Sequence, residues 1–132
     1  MMESDMNALL RADAGVSAIV GSGSAARVYP LILPQAGALP AVTYQRISTP
    51  RIVTATLGGQ NARIKCRMQL DCWAETFAQA KALAAAVRSA MLGAATFTAI
   101  ALDERDMYEA GESSDGLTLY RTSADFSCWY LE

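Results

Sequence analysis

Residues 63–93 read RIKCRMQLDCWAETFAQAKALAAAVRSAMLG and contain the two strongest structural signals in the chain. From Arg63 to Trp73 apolar and polar residues alternate, which predicts a β-strand with one face in the core and the other in water. Thr76 then caps a helix that runs to about Leu92 and ends at Gly93. The predicted buried stripe of this helix is Phe77, Ala80, Leu83, Ala84, Val87 and Met91. Such a pair predicts a helix packed against a sheet.

Shorter elements flank this pair. Ser4 is predicted to cap a first helix with an apolar face of Met6, Leu9 and Leu10. A second helical turn covers 16–20 and stops at Gly21. Further strands are predicted over 26–29, 41–48, 97–102 and 117–131, the last of them long and alternating. The order of the elements predicts an α+β fold, a mostly antiparallel sheet with helices packed on one face.

Residues 49–61, TPRIVTATLGGQN, combine β-branched residues with a glycine pair. They predict an extended β-hairpin that leaves the core, with its tip near Gly58 and Gly59. The chain has 132 residues, and it contains neither an internal repeat nor a long linker. We therefore expect residues 1–132 to form a single domain.

Charge is distributed unevenly along the chain. Residues 14–70 contain no Asp or Glu and six basic residues, whereas the rest of the chain carries a net charge of −8. Six of the acids fall within 103–115. Sequence blocks need not form spatial patches, so a solvated surface is one interpretation. The other is a basic and an acidic side suited to head-to-tail contacts between copies, which close into rings.

Composition argues against catalysis. The chain has no histidine, which removes the commonest general base and metal ligand. The glycine pattern at 21–26 enters a strand rather than a helix, so it is no dinucleotide site. Cys66 and Cys72 are predicted to lie about 20 Å apart on one strand, and Cys128 has no recognisable partner. We expect buried, reduced thiols, no catalytic or cofactor-binding residue, no cofactor and no metal.

Two alternatives remain from the residues alone. Asp103, Asp106 and Glu109 could hold a hard cation in a metal-dependent enzyme. A nucleic-acid-binding module would place four aromatic residues beside the arginines of 46–67: Tyr44, Trp73, Tyr120 and Trp129. Core and interface packing is the favoured interpretation of those aromatics, because the chain is mildly acidic overall.

Three parts of the sequence resemble a known family. The first is the N-terminal pattern ALLRAD (8–13), AIVG (18–21), RVYP (27–30) and LPAVTY (39–44). The second is QLDCWAET (69–76), which enters an alanine-rich helix, and the third is LYR (119–121) followed by DFSCW (125–129). Together they resemble the tail-completion or tail-terminator proteins of long-tailed phages, prophages and gene transfer agents.

The resemblance implies a structural virion protein without an active site. By this resemblance, six copies form a ring at the head-proximal end of the tail tube. The ring ends tube polymerisation and provides a surface for joining the head. The implied partners are further copies of the chain, the tail tube protein and the head–tail connector or stopper protein. DNA would only pass through the lumen, and no membrane is involved. Particles of this kind are assembled in the bacterial cytoplasm. A head-completion or adaptor role is the nearest alternative.

The uneven charge suggests which residues join the copies. We expect a basic set on the hairpin to contact an acidic set on the neighbouring copy. The basic set is Arg46, Arg51, Arg63 and Lys65, and the acidic set is Asp103, Glu104, Asp106 and Glu109.

Overall fold

The computed structural model of the protein describes residues 2–34, 38–49, 63–109 and 118–131. The helices are α1 (Met2–Ala12), α2 (Ala14–Val20) and α3 (Phe77–Leu92), and a short 3₁₀ turn covers Gly23–Ala25. The strands are β1 (Val28–Pro30), β2 (Ala41–Ser48), β3 (Arg63–Ala74), β4 (Thr98–Glu109) and β5 (Leu119–Leu131). The predicted α+β class and the order of its elements are confirmed.

The described strands form one five-stranded sheet in the order β1-β2-β3-β5-β4. β1 runs parallel to β2, and every other neighbouring pair is antiparallel. β2 and β3 are consecutive in the chain and adjacent in the sheet. Residues 50–62 join them, so the predicted hairpin tip lies outside the described residues.

The two faces of the sheet differ in what covers them. On the covered face, side chains of β2, β3 and β5 pack beneath the helices in one apolar cluster that includes Val42, Met68 and Phe126. The opposite face, here called the open face, has no helix of the described chain packed on it. The predicted alternation along β3 and β5 sets this division, because successive side chains of a strand point to opposite faces.

The ends of the helices follow their capping residues. The Thr76 side chain accepts a hydrogen bond from the Gln79 amide, and Gly93 caps the C-terminus of α3. These predicted bounds are confirmed. The predicted cap at Ser4 is wrong, because α1 already begins at Met2 and Ser4 is exposed within it. No helix in the described ranges is long and apolar enough to cross a membrane.

The predicted burial of Phe77 is also wrong. Phe77 belongs to the apolar spacing of α3, but it is 50% exposed. The first turn of α3 holds Phe77 at the rim, where its ring meets the ring of Tyr120 edge-on at 6.4 Å. Ala90 takes part in the buried stripe in its place.

The acidic segment after residue 102 is also regular structure. β4 was predicted to end at Leu102, but it continues to Glu109 as an edge strand paired with β5 throughout. A register shift between Ala101 and Asp103 leaves Leu102 as a bulge residue. The opposite edge of the sheet is the short strand β1, where Arg11 donates a 3.0 Å hydrogen bond to the carbonyl oxygen of Val28. β4 is therefore the long accessible edge of the described sheet.

Candidate assembly surfaces

The centre of the open face is polar yet buried. Asp71, Ser123, Asp125 and Ser127 are each at most 8% exposed, although no helix covers them. Arg67 and Trp129, two larger residues on the same face, lie next to Ser127 in the sheet. The sequence pattern of β3 predicted a solvated face here, and for Asp71 that prediction is wrong.

One ion pair anchors this polar centre. Arg67 Nη2 lies 2.6 Å from Asp125 Oδ2, and the Asp125 side chain is only 6% exposed. The other carboxylate oxygen, Asp125 Oδ1, is buried without a hydrogen-bond partner in the part of the chain that the structure describes. The hydroxyl groups of Ser123 and Ser127, two residues away on either side, are also buried without a hydrogen-bond partner in the described chain. Such atoms cost free energy unless a partner reaches them, so this strip of β5 offers hydrogen-bonding capacity that the described chain leaves unused.

Cations stack on aromatic rings at both ends of the open face. Lys65 Nζ lies 5.4 Å from the ring centre of Trp129 at one end, and Arg121 Cζ lies 4.9 Å from that of Trp73 at the other. The Trp73 indole also donates a 3.0 Å hydrogen bond to Thr43 Oγ1. These contacts order both tryptophans within the molecule.

The aromatic residues weighed for nucleic-acid binding thus have contacts within the chain. Tyr44 is buried and its hydroxyl accepts a hydrogen bond from Asn7, and Tyr120 packs against Phe77. Trp73 and Trp129 carry the cations just described. A base-stacking platform would have to break these contacts, which argues against the nucleic-acid alternative.

The predicted basic set is divided between the two faces. Arg46 lies on the covered face and its Nη2 is 2.7 Å from Glu3 Oε1 of α1. Burial alone would lower the pKa of Arg46, but the hydrogen bond and charge of Glu3 outweigh it and raise the pKa. Lys65 is exposed on the open face. Arg51 lies outside the described residues, and only the backbone of Arg63, at the start of β3, is described.

The predicted acidic set lies along β4 and is divided in the same way. Glu104 and Asp106 face α3, where Arg88 and Lys81 reach them at 2.6 Å and 3.3 Å. Asp103 and Glu109 lie on the open face, opposite Asp125 and Leu119 of β5. Asp103 is the exposed member of the acidic set without an ion pair in the described chain.

The metal-site alternative fails on geometry. Asp103 and Asp106 sit on opposite faces of β4, because Asp103 pairs with Asp125 and Asp106 pairs with Thr122. Their carboxylates therefore cannot converge on one cation. Nowhere in the described ranges do three or more His, Cys, Asp or Glu side chains form a group able to hold a metal.

Comparison with known proteins gives the family. The model of the family "Tail completion protein gp17" matches residues 4–131. The chain belongs to this family, and it is a non-enzymatic structural protein of the phage tail.

The fold also has a match among solved structures. A chain in a structure titled "Virion of native gene transfer agent (GTA) particle" superposes with a TM-score of 0.69 at 24% identity. The match covers 99% of this chain and 95% of that one, so the two share the fold over their length. None of the curated proteins compared with the sequence matches it.

Proposed function

We propose that this protein is a tail terminator. Copies assemble as a ring, a hexamer by resemblance to the family, on the head-proximal end of the tail tube. The ring stops addition of tube subunits and presents its other side to the head connector. The family match over residues 4–131 is the observation that carries this proposal. The shared fold with a chain of a gene transfer agent virion supports it.

The arrangement of charge supports head-to-tail contact between the copies. The basic residues at the start of β3 lie at the Trp129 end of the sheet, where Thr98 begins β4. The acidic residues of β4 begin at Asp103, about 16 Å further along that strand. One copy can therefore offer its basic end to the acidic edge of the next, and such a heterologous contact closes into a ring.

The β4 edge fits the same role. A long edge strand presents unpaired backbone groups that can accept a strand from another chain. The acids along β4 disfavour pairing between two β4 edges and favour a basic strand as the partner. We propose that the basic segment 46–67, with Arg51 and Arg63, contacts this edge on the neighbouring copy. The unused hydrogen-bonding groups around Asp125 lie on the adjoining open face.

Deletion of the gene in its native phage or phage-like cluster tests the terminator role. We expect overlong, headless tubes in the lysate by negative-stain electron microscopy, because nothing would stop tube growth. The control is the same strain with the gene restored in trans, which should return tails to normal length. Normal-length tails beside full, unattached heads would instead assign the protein to head joining, the adaptor alternative. Normal particles would remove it from tail assembly.

A further inference from the structure

Two of the three cysteines face each other across the centre of the sheet. Cys66 of β3 and Cys128 of β5 are directly opposed in the antiparallel register. Both lie on the covered face with no exposed surface, and their thiols share a hydrogen bond. Directly opposed residues have Cβ atoms about 4.5–5.5 Å apart, whereas a disulfide needs about 3.5–4.5 Å. A shift of about 1 Å therefore closes the bond.

The third cysteine has no such partner. Cys72 lies six residues further along β3, opposite Thr122 of β5 and Val42 of β2. At about 3.3 Å per residue it is roughly 20 Å from Cys66, and Cys128 lies beside Cys66. Of the three disulfides that three cysteines could form, the sheet register permits one. Cys72 is thus a matched control on the same strand and the same face.

The two opposed thiols are not equivalent. The hydrogen bond from Cys128 lowers the pKa of Cys66, and the positive charge of Arg46 acts in the same direction against burial. The same hydrogen bond, together with burial, raises the pKa of Cys128. Burial raises the pKa of Cys72. Because the positive charge of Arg46 favours the thiolate of Cys66 and the thiolate is the reactive form, Cys66 is the better nucleophile of the two.

Because Cys66 has no exposed surface, a small oxidant reaches its thiol through local opening of the layer above it. Arg46 interacts electrostatically with this thiol and forms an ion pair with Glu3 in the first turn of α1. Those two side chains are 30% and 26% exposed, so the pair lies at the surface. Fraying of the helix terminus would separate Glu3 from Arg46 and provide such an opening.

We propose that Cys66 and Cys128 are a redox modification site that a peroxide converts into a disulfide. The Cys66 thiolate attacks hydrogen peroxide, the O–O bond breaks, and Cys66 becomes a sulfenic acid while hydroxide takes up the thiol proton as water. The Cys128 sulfur then attacks the Cys66 sulfur, its proton leaves with the hydroxyl as a second water, and the S–S bond forms. Two thiols and one peroxide yield one disulfide and two waters. The product ties the two central strands together.

Mass spectrometry of the folded full-length protein tests this proposal. Treatment with one equivalent of hydrogen peroxide should remove two hydrogens from the intact mass and link the peptides containing Cys66 and Cys128. A thiol reductant should reverse the change, and Cys72→Ser should behave like the unaltered protein. Cys128→Ala should trap a sulfenic acid at Cys66, detected as a dimedone adduct at least about tenfold faster than any adduct at Cys72.

The unaltered protein alone can overturn the proposal, whether or not a variant folds. Retention of the original mass, or addition of oxygen at Cys72 before any loss of hydrogen, would contradict it. A disulfide between two copies in place of one within the chain would contradict it too. None of these outcomes depends on the terminator role.

Discussion

Among the described residues, Arg67 is the cation that pairs with Asp125 on the open face. The Asp125 side chain is 6% exposed, and the guanidinium of Arg67 is its ion-pair partner, with 48% of the Arg67 side chain in solvent. Removing one member of a buried pair leaves a charge that neither water nor protein compensates. Between side chains that are both well exposed, the same kind of pair contributes little.

Arg67→Ala should therefore lower the free energy of unfolding by about 1–3 kcal/mol. Urea denaturation followed by circular dichroism measures the change. Lys81→Ala is the matched control, because Lys81 and Asp106 lie 3.3 Å apart and both side chains are over 40% exposed. It should cost less than about 0.5 kcal/mol. Equal costs for the two variants would show that Asp125 is solvated well enough to do without Arg67.

Gly21 ends α2 in a backbone conformation that other residues rarely adopt. Its φ is +90°, and a Cβ there would lie 3.2 Å from the carbonyl oxygen of Ala25. Gly93 ends α3 with φ −96°, and a Cβ there would meet nothing closer than 3.5 Å. Both glycines cap a helix, but of the two it is Gly21 whose backbone angles require glycine.

Gly21→Ala should thus destabilise the protein by about 1–2 kcal/mol through strain at the end of α2. Gly93→Ala should be close to neutral, because alanine tolerates those angles and has room for its methyl group. Thermal unfolding of the two variants side by side measures the difference. The interpretation fails if Gly93→Ala proves the more damaging change.

Charge separation within the whole molecule leads to a prediction about assembly. The basic start of β3 and the acids of β4 occupy different parts of the sheet, so a contact between them joins two copies. Reversing one sign at such a contact replaces attraction with repulsion. Reversing the sign of a basic residue on β4 should have no such effect.

We expect Arg51→Glu and Arg63→Glu each to weaken ring assembly. Complementation of the deletion strain measures this, with tail length by electron microscopy as the readout, because the ring need not form free in solution. Arg105→Glu carries the same charge change on the acidic strand and should restore normal tails. Adding Asp103→Arg to Arg63→Glu should recover part of the loss. Normal tails with both single variants would rule out this contact.

The strong local patterns sufficed to predict the central elements. The alternation of β3 and β5 and the caps of α3 are set by nearby residues, and the structure confirms them. The extension of β4 could not be predicted this way. A run of Asp, Glu and Arg favours a loop in isolation, and it becomes a strand here because it pairs with β5 as far as Glu109. Arg88 and Lys81 of α3 pair with the acids that face them.

The pairing of residues across the sheet could not be predicted from the sequence either. The sequence separated Cys66 from Cys72 correctly, but it could not show that Cys128 lies beside Cys66, because strand register depends on distant residues. The buried polar strip around Asp125 was missed for a related reason. Alternation shows which face a side chain points to, and only the neighbouring strands determine how far it is covered.

The bulge at Leu102 determines which face of the sheet each later residue of β4 points to. Before it, Ala99 and Ala101 share a face with Cys128 and Phe126; after it, Glu104 and Asp106 occupy that same face. Without the bulge and with the same residues, Asp103, Arg105, Met107 and Glu109 would turn toward α3, and the acids paired with Arg88 and Lys81 would turn away. Deletion of Leu102, by contrast, would remove the extra residue and leave all later residues of β4 opposite the same residues of β5 and on the same faces. We therefore expect relatives with and without a residue at this position to keep the same pairing between these two strands.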